Sequence, residues 1–455
     1  MIFLMTTAPP ENSPWSTPIK LPPLGLLFVA ASLEKAGFKV ELLDNYLLRK
    51  SNSDLKKLVK KVNPVVVGIT CSSASYPVCV ESAKVIKEVL PQCKIVVGGW
   101  HPSYVPESML QHPEIDYVIM GEGERAMVEL STCITKNLGE KTISQIPGLA
   151  FRKKQKIIKN SQEFISDLDE IPFLARHLLT LDFYERKIPF LNVAPVDTMN
   201  IVRGCPFNCA FCETRRLWGP GCRAFSPRRV VDEIEYMANN FGTKGIYFLG
   251  DNFTINKKRT TELCEQIRTS KKEIEWVCDT RADMISQDLL RTMKNAGCKT
   301  IWFGVESGSP KILEKINKGI TIEQNIQAFK LCKKEGIQTA CSFMIGIPGE
   351  TLTDIDMSYK FAKKLNPDWV QFNIYIAYPG STLYDEVMEK GLFDRQQGFL
   401  KFVKTDEFDF DLMKQIQMTY QSKLNLSFKN ILKKMKREGI WNVLKKSPKY
   451  FSRSI

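Results

Sequence analysis

Three closely spaced cysteines are the residues of this sequence that most clearly could do chemistry. Cys205, Cys209 and Cys212 follow a glycine in a short loop-like run, and their thiols are spaced C-x3-C-x2-C. Thiolates bind zinc and iron–sulfur clusters, and four of them normally complete either kind of site. Three thiolates would leave one iron of a 4Fe–4S cluster without a protein ligand. Such an iron could bind a substrate directly, much as a catalytic zinc keeps an open position.

Two other interpretations of these cysteines stay open. A structural zinc site or a purely electron-transferring cluster would each need a fourth thiolate, and Cys222 could supply it. The chain has only three histidines, which excludes a histidine-rich metal centre. Thirteen cysteines in total is an odd number, and most lie in apolar stretches, so a disulfide framework is not predicted.

The cysteines follow the first strand of a strand–helix alternation. Six apolar, β-branched runs, each followed by a helix-like segment, are the candidate strands: residues 198–203, 245–249, 275–278, 300–305, 339–345 and 370–376. Six such units, without a seventh or eighth, predict a partial TIM-like (β/α)6 barrel over residues 196–397. Ser226 and Pro227 predict the start of its first long helix. Polar residues gather at the carboxyl ends of the strands, where barrel enzymes place their chemistry.

The cysteine loop, with the aromatic Phe211 before the last thiol, resembles that of the radical S-adenosylmethionine (SAM) superfamily over residues 198–385. This resemblance implies that the open iron binds the amino and carboxylate groups of SAM. When SAM then accepts one electron, it is cleaved to methionine and a 5′-deoxyadenosyl radical. It also implies SAM contacts at later strand ends: Gly250, Asp251 and Asn252 for the amino group, Arg281 for the carboxylate, Glu306 and Ser307 for the ribose and amino acid, and a loop with Gly346 and Pro348 for adenine.

Simpler interpretations of these contacts remain open. Many members of the superfamily carry a second acid where this chain has Gly250. Arg281 could instead form a salt bridge at the barrel rim, and Glu306 could be a helix-capping acid. A glycine-rich loop such as 346–349 often only joins a strand to a helix.

Residues 1–136 predict a second, Rossmann-like α/β domain with a doubly wound parallel sheet. Its candidate strands are residues 2–5, 39–43, 65–70, 94–97 and 116–120, and helical stretches at 24–36, 54–61, 77–90 and 124–136 alternate with them. Strands that are apolar on both faces and alternate with helices are typical of such sheets, which bind ligands at the carboxyl ends of the strands. The glycine fingerprint of dinucleotide-binding domains and the P-loop are both absent.

Several strand ends of this first domain resemble the cobalamin-binding domain that is fused to many radical SAM enzymes. The resemblance implies a groove of small residues for the nucleotide tail of cobalamin, formed by Thr70, Ser72, Ser73, Gly98, Gly99, His101, Gly121, Glu122 and Gly123. The Asp-x-His-x-x-Gly motif of other cobalamin proteins is absent, since residues 43–48 contain no histidine to ligate cobalt. The alternative is that the sheet no longer binds cobalamin. Similarly, His101 could only cap the next helix.

The rest of the chain is predicted to connect or cover these domains. Residues 137–195 are expected to form a linker with a hairpin-like piece at 151–159, and residues 398–455 a basic helical region. The chain carries a net charge of +14, and thirteen basic and five acidic residues from position 401 onward supply much of it. This region is expected to cover a domain or to contact an anionic membrane surface. The sequence shows no basic groove pattern rich in aromatic residues, so nucleic-acid binding is not expected.

Together these features predict a cobalamin-dependent radical SAM enzyme of the group that includes class B methyltransferases and anaerobic oxidative cyclases. Its expected cofactors are a 4Fe–4S cluster, SAM and cobalamin, and its expected reaction is methylation of an unactivated carbon. The enzymatic alternative is a cyclase or rearrangement activity with the same cofactors. The non-enzyme alternative is an iron–sulfur electron carrier. The expected partners are a lipid, tetrapyrrole or natural-product substrate and a flavodoxin or ferredoxin. No signal peptide or apolar span is apparent, which predicts a cytoplasmic location.

Overall fold

The structure is a computed structural model that describes residues 1–10, 20–250, 252–427 and 430–433. The described residues form two compact units. The first comprises residues of Met1–Glu185 together with Glu213–Arg223 and Gln397–Leu400. The second comprises residues of Arg186–Cys212 and Ala224–Gln396, with the described residues from Lys401 onward.

A seven-stranded sheet forms the centre of the first unit. Its strands β1 to β7 are Ile2–Thr6, Val40–Leu43, Val66–Thr70, Lys94–Gly98, Tyr117–Ile119, Leu149–Lys153 and Lys156–Lys159. They lie in the order β2-β1-β3-β4-β5-β6-β7. The first five are parallel, whereas β6 and β7 are antiparallel to their neighbours. This arrangement confirms the predicted doubly wound sheet.

Eight helices belong to the described first 185 residues. Helices α1 to α8 are Leu24–Lys35, Asn45–Leu48, Asn52–Val62, Tyr76–Val89, Trp100–Tyr104, Pro106–Leu110, Glu124–Thr135 and Glu140–Ile143. Short 3-10 turns follow at Leu168–Glu170, Arg176–Leu178 and Leu181–Phe183. The sheet has an apolar core on each face, because successive side chains of a strand point to opposite sides. Phe3 and Met5 pack into one core, and Ile2 and Leu4 into the other.

The hairpin predicted within residues 137–195 is present as β6 and β7, but it extends the first sheet. β6 pairs with β5 and buries Leu149, Ala150 and Phe151 almost completely. The first compact unit therefore continues to Glu185, whereas the sequence placed the end of the first domain at residue 136. The apolar side of β6 needs a neighbouring strand to cover it, and a linker would leave it exposed to water.

Six parallel strands form the main sheet of the second unit. They are β8 (Val196–Asn200), β11 (Gly245–Leu249), β12 (Glu275–Thr280), β13 (Cys298–Glu306), β14 (Gln338–Ile345) and β15 (Trp369–Ile374). Their order, β15-β14-β13-β12-β11-β8, follows the sequence, and β8 and β15 are its two edges. This is the predicted six-unit partial barrel.

Shorter strands and the remaining helices complete the described chain. The short strands are β9 (Val202–Arg203), β10 (Arg223–Ala224), β16 (Ile376–Ala377), β17 (Phe393–Gln397) and β18 (Leu400–Val403). Helices α9 to α17 are Thr214–Trp218, Pro227–Phe241, Lys257–Thr269, Gln287–Asn295, Pro310–Lys315, Ile322–Glu335, Leu352–Leu365, Thr382–Glu389 and Phe410–Asn425, and a 3-10 turn spans Ala282–Met284. The predicted start of α10 is confirmed, because the Ser226 hydroxyl accepts a hydrogen bond from the Arg229 backbone N–H at 3.1 Å.

The basic tail is only partly covered by the structure. Helix α17 lies in it, as predicted, and residues 430–433 are also helical. Residues 428–429 and 434–455 of the predicted basic helical region lie outside the described residues. Across the described part of the chain, no helix combines the length and apolar character needed to cross a membrane.

Candidate functional site

The three predicted cluster cysteines share the loop between β9 and α9. Cys205, Cys209 and Cys212 are all partly exposed, whereas nine of the other cysteines are buried. Cys222 is exposed and belongs to the first unit, whereas the three thiols belong to the second. Among the residues that the structure describes, no three His, Cys, Asp or Glu side chains are grouped tightly enough to hold a metal ion. The three thiols thus share one partly exposed loop of the second unit.

Backbone and side-chain hydrogen bonds attach this loop to the second unit. The Ala210 N–H donates to the Ile316 carbonyl at 2.8 Å, and the Ala210 carbonyl accepts from the Leu383 N–H at 2.9 Å. The Asn317 amide donates to the Asn208 carbonyl at 2.8 Å. Two of these three bonds involve the segment that follows helix α13, so that segment and the cysteine loop are held together.

Arg281, predicted to bind the SAM carboxylate, lies against the cysteine loop. Its guanidinium carbon is 3.5 Å from the centroid of the Phe207 ring, a cation–π contact. Its Nε and Nη2 donate to the two carboxylate oxygens of Asp283 at 3.0 and 2.9 Å. Arg281 is 5% exposed. In this structure it therefore forms a rim salt bridge, and a contact with SAM stays a prediction.

Glu306 and Lys318 form a buried ion pair at the end of β13. The Lys318 ammonium donates to Glu306 Oε1 at 3.0 Å, and their side chains are only 9% and 12% exposed. Glu306 has a φ of 66°, in the left-handed region that is unfavourable for a residue with a side chain. Gly304 leaves room for the pair, since a Cβ there would lie 2.4 Å from the Glu306 carboxylate. Sequence reasoning missed Lys318, because no motif marks a lysine twelve residues after its partner.

The charges around Cys209 are suited to a thiolate ligand. Burial raises the pKa of the Cys209 thiol, and the neighbouring Lys318 and Arg281 charges oppose this rise while Glu306 adds to it. Iron binds the thiolate form, and the cations favour that form. Three thiols on one loop with two adjacent cations therefore fit a thiolate-bound 4Fe–4S cluster.

The end of β11 holds the residues predicted to receive the SAM amino group. Asp251 lies outside the described residues. Asn252 is fully buried, and its Oδ1 accepts a hydrogen bond from the Thr280 hydroxyl at 2.7 Å. Its Nδ2 is buried without a hydrogen-bond partner among the described residues. Gly250 is partly exposed, and a Cβ there would meet only the Val202 carbonyl, at 3.8 Å. Gly250 is therefore uncrowded by the described residues, whereas the Asn252 side chain is enclosed, and a contact with the SAM amino group stays a prediction.

The predicted adenine loop is shaped by a buried carboxylate. Glu350 is 1% exposed. It accepts hydrogen bonds from the backbone N–H groups of Gly346 and Ile347 at 2.7 and 3.1 Å. Burial raises the pKa of Glu350 to about 8. Pro348 is buried within the loop. Ser307 is also fully buried, and its hydroxyl accepts from the Ser309 N–H at 3.1 Å, so its role in this structure is internal.

A partly buried acid–phenol pair that the sequence did not reveal lies on the same sheet. The Tyr247 hydroxyl of β11 donates to Asp279 Oδ1 of β12 at 2.9 Å. Burial raises the pKa of Asp279 from its ordinary value of 3.8 to about 7. The two residues are 32 positions apart, so only the pairing of the two strands brings them together.

The raised pKa of Asp279 predicts a pH-dependent stability. The folded protein holds a proton on Asp279 that the unfolded chain releases between about pH 4 and 7, so stability falls as the pH rises through this window. Asp279→Asn removes this loss while keeping an acceptor for Tyr247. As the pH rises from 4 to 8, we expect the free energy of unfolding of the variant to increase by roughly 2–4 kcal/mol relative to that of wild type, as measured by denaturant unfolding. Asp288→Asn, whose side chain is 88% exposed, is the matched control and should track wild type at each pH.

In the first unit, His101 is enclosed rather than open to a ligand. It is fully buried in α5. Its Nδ1 lies 3.0 Å from the Ser73 hydroxyl and its Nε2 lies 2.8 Å from the Ser108 hydroxyl. Burial lowers the pKa of His101 to about 4, so the ring is neutral at pH 7. Both ring nitrogens are engaged within the protein.

The stretch that replaces the missing cobalt-ligand motif is closed by its own hydrogen bonds. Asp44 accepts from the Thr6 hydroxyl at 2.6 Å and from the Tyr184 hydroxyl at 2.5 Å. Both oxygens of this carboxylate therefore accept a hydrogen bond. The stretch after β2 contains no histidine. This agrees with the expectation that the protein supplies no lower histidine ligand from this stretch.

Glu122 is held by an arginine of the same unit. The Arg223 Nη1 donates to both carboxylate oxygens of Glu122 at 2.9 and 3.0 Å, and the Ile165 N–H donates to one of them at 2.6 Å. The Glu122 side chain is 2% exposed. Its contacts thus stabilise the loop after β5, and a cofactor contact stays a prediction.

Small residues at the ends of β3, β4 and β5 remain partly exposed. They are Thr70, Ser72, Ser73, Gly98, Gly99, Gly121 and Gly123. Gly99 has a φ of 100°, and a Cβ there would lie 2.8 Å from the Thr70 hydroxyl, so glycine is required for packing. Small residues along the carboxyl edge of a parallel sheet suit a long, extended ligand. This edge therefore fits the nucleotide tail of cobalamin.

Comparison with known proteins assigns the family. The sequence model of the Radical SAM superfamily matches residues 199–362, and that of the B12 binding domain matches residues 16–131. Over 373 residues the chain is 36% identical to an uncharacterized methyltransferase of Pyrococcus horikoshii, covering 82% of this chain and 79% of that protein. The chain belongs to the radical SAM superfamily. It is a B12-binding-domain member, as the sequence predicted.

Other relatives of this radical SAM enzyme agree. It is 30% identical over 383 residues to the anaerobic magnesium-protoporphyrin IX monomethyl ester cyclase of Rubrivivax gelatinosus, covering 81% of this chain and 67% of that one. Its fold is similar to that of the radical SAM methyltransferase TsrM from Kitasatospora setae, with a TM-score of 0.72, 19% identity, and coverage of 87% and 77% of the two chains. The predicted fold class and the three cofactors, a 4Fe–4S cluster, SAM and cobalamin, are confirmed.

Proposed function

We propose that this radical SAM enzyme methylates an unactivated carbon of a small-molecule substrate. One observation carries the proposal: the chain is 36% identical to a methyltransferase over 82% of its length. That span is longer than either compact unit, so the likeness includes both the cobalamin-binding and the cysteine-bearing part. The proposed cluster ligands are Cys205, Cys209 and Cys212.

The cofactors supply the reactive chemistry when bound: cobalamin carries the methyl group, and the cluster delivers the electron that cleaves SAM. The protein's own residues bind and orient. Arg281, stacked on Phe207, and Lys318, paired with Glu306, fix the position of the cysteine loop. Glu350 sets the shape of the loop proposed to receive adenine. The order of these groups at successive strand ends supports the predicted SAM contacts.

A second candidate function is oxidative cyclisation or rearrangement with the same cofactors. The 30% identity to the Rubrivivax gelatinosus cyclase favours it. Residues that bind the cofactors do not distinguish the two outcomes, because the fate of a substrate radical depends on the substrate and its position. The product therefore has to be measured.

The methylation proposal is tested with isotope-labelled SAM. The anaerobically reconstituted enzyme, with cobalamin and dithionite, is incubated with SAM carrying a deuterated methyl group and a metabolite extract of a strain lacking the gene. We expect one metabolite to gain a labelled methyl group, with S-adenosylhomocysteine and 5′-deoxyadenosine both formed. Formation of 5′-deoxyadenosine with a product that lacks the label would favour cyclisation and contradict methyl transfer. Omitting cobalamin is the control that should stop methylation.

The proposed partners follow from the reaction. We propose a lipid, tetrapyrrole or natural-product intermediate as substrate, a flavodoxin or ferredoxin as electron donor, and a cytoplasmic location. The basic tail is proposed to cover the second unit, because the Lys433 ammonium donates to the Asn366 carbonyl at 3.1 Å. Peripheral contact of the tail with an anionic membrane is the alternative.

A further inference from the structure

A buried lysine beside the cysteine loop has no place among the predicted SAM contacts. Lys318 is 7% exposed, and its ammonium lies 5.7 Å from the centroid of the Phe211 ring in the C-x2-C part of the loop. A buried ammonium is costly unless it is paired, and Glu306 is its partner at 3.0 Å. The burial of this charge calls for a reason beyond packing.

The backbone holds Lys318 and the cysteine loop in a fixed relation. Ile316 and Asn317, the two residues before the lysine, are hydrogen-bonded to Ala210 and Asn208 of the loop. The Lys318 N–H in turn donates to the Leu313 carbonyl of helix α13 at 3.1 Å. The backbone next to Lys318 is therefore attached to the cysteine loop, and Glu306 holds its ammonium.

The acid that pairs with Lys318 is itself held in an unfavourable conformation. Glu306 adopts a φ of 66°, and left-handed residues with a side chain persist only where the surroundings impose that conformation. From this conformation the Glu306 carboxylate reaches Lys318, and the absent side chain at Gly304 leaves room for it.

Two cations lie against the cysteine loop, each beside a different part of it. The Arg281 guanidinium stacks on Phe207, between Cys205 and Cys209, and is bound by Asp283. The Lys318 ammonium lies 5.7 Å from the centroid of the Phe211 ring, next to Cys212. Lys318 is therefore the cation beside the C-x2-C part of the loop.

We propose that Lys318 is a positioning residue that holds a positive charge beside the cluster and so favours its one-electron reduction. The reduced cluster carries one more negative charge than the oxidised cluster, and a nearby cation stabilises it more. The electron comes from the external donor, dithionite in the test, and no other bond changes in this step. The inference rests on the proposed function, because it requires the cluster to be bound by the three cysteines.

The test is an anaerobic redox titration of the reconstituted enzyme, followed by electron paramagnetic resonance of the reduced cluster. In Lys318→Met we expect iron content to be unchanged and the ratio of reduced to oxidised cluster at a fixed potential to fall about tenfold. That factor corresponds to a midpoint potential more negative by about 59 mV for a one-electron couple. Lys318→Arg is expected to restore most of the potential. Lys330→Met, which removes an exposed lysine of α14, is the matched control and should leave it unchanged.

An unchanged midpoint potential in iron-loaded Lys318→Met would overturn the proposal. If that variant does not fold or load iron, Glu306→Gln decides, because it removes the opposing negative charge while keeping the lysine. Its potential should become more positive, and no shift or a negative shift would also overturn the proposal. Failure of the proposed cluster site is distinguishable: Cys209→Ala would then keep its iron, whatever the lysine variants do.

Discussion

The variant Cys209→Ala is expected to lose the 4Fe–4S cluster and to form no 5′-deoxyadenosine from SAM. Three thiolates are the fewest that hold a cubane with one open iron, so removing one leaves two ligands and an unstable site. Cys209 lies in a loop attached to the rest of the second unit by backbone hydrogen bonds through Ala210. Iron and sulfide analysis, the visible spectrum and an anaerobic SAM cleavage assay measure the loss.

The matched control is Cys222→Ala, which changes an exposed thiol ten residues beyond the last cluster cysteine. It is expected to keep its iron and its SAM cleavage activity. An electron carrier or zinc site with Cys222 as fourth ligand predicts the reverse. Loss of the cluster in Cys222→Ala, with SAM left intact under strong reductant, would contradict the assignment of three thiolates and an open iron.

The second large effect is expected from Arg223→Met in the first unit. This arginine binds both oxygens of the buried Glu122 carboxylate and also donates to the carbonyls of Ile165 and Trp218. Removing it takes away the cation that pairs with the buried Glu122 carboxylate, and breaking such a pair typically costs about 3–5 kcal/mol. We expect denaturant unfolding of the first unit to show a loss of that size. Arg125→Met, which breaks an ion pair whose side chains are more than half exposed, is the control and should cost far less.

A second substitution separates a structural role of Glu122 from a cofactor-binding one. Adding Glu122→Gln to Arg223→Met removes the negative charge that has lost its cation and is expected to recover a large part of the lost stability. Cobalamin binding of the double variant should then approach that of wild type, as measured by equilibrium dialysis. Recovered stability with abolished cobalamin binding would show instead that Glu122 contacts the cofactor. A loss below about 0.5 kcal/mol in Arg223→Met would contradict the burial argument itself.

Prediction from the sequence succeeded where the signal was local. The cysteine spacing lies within one loop, and each strand or helix of the alternation is marked by the apolar pattern of a few consecutive residues, so neither requires knowledge of the fold. The start of α10 at Ser226 and Pro227 was readable for the same reason, since a helix cap involves only four residues. The hairpin-like piece at residues 151–159 was also readable, but not its pairing with β5, because any exposed sheet edge could have accepted it.

Prediction failed where two distant residues make one feature. Lys318 pairs with Glu306 across a turn and a helix, and Tyr247 pairs with Asp279 across two strands. Arg223 reaches Glu122 from 101 residues away. No periodicity or spacing links such residues, because strand register and helix packing set their distance. His101 illustrates the same limit: the sequence offered it as a cofactor neighbour, whereas packing enclosed both ring nitrogens.

The sequence by itself determined the family, the cofactors and the order of the two domains, because each depends on short motifs or on the periodic burial of apolar residues. Only the tertiary structure decided which charged groups face the cysteine loop, which carboxylates are already paired, and where the first unit ends. Those features depend on side chains that meet through the packing of separate elements. Their charges act over distances of a few ångströms, and only the folded chain sets such distances.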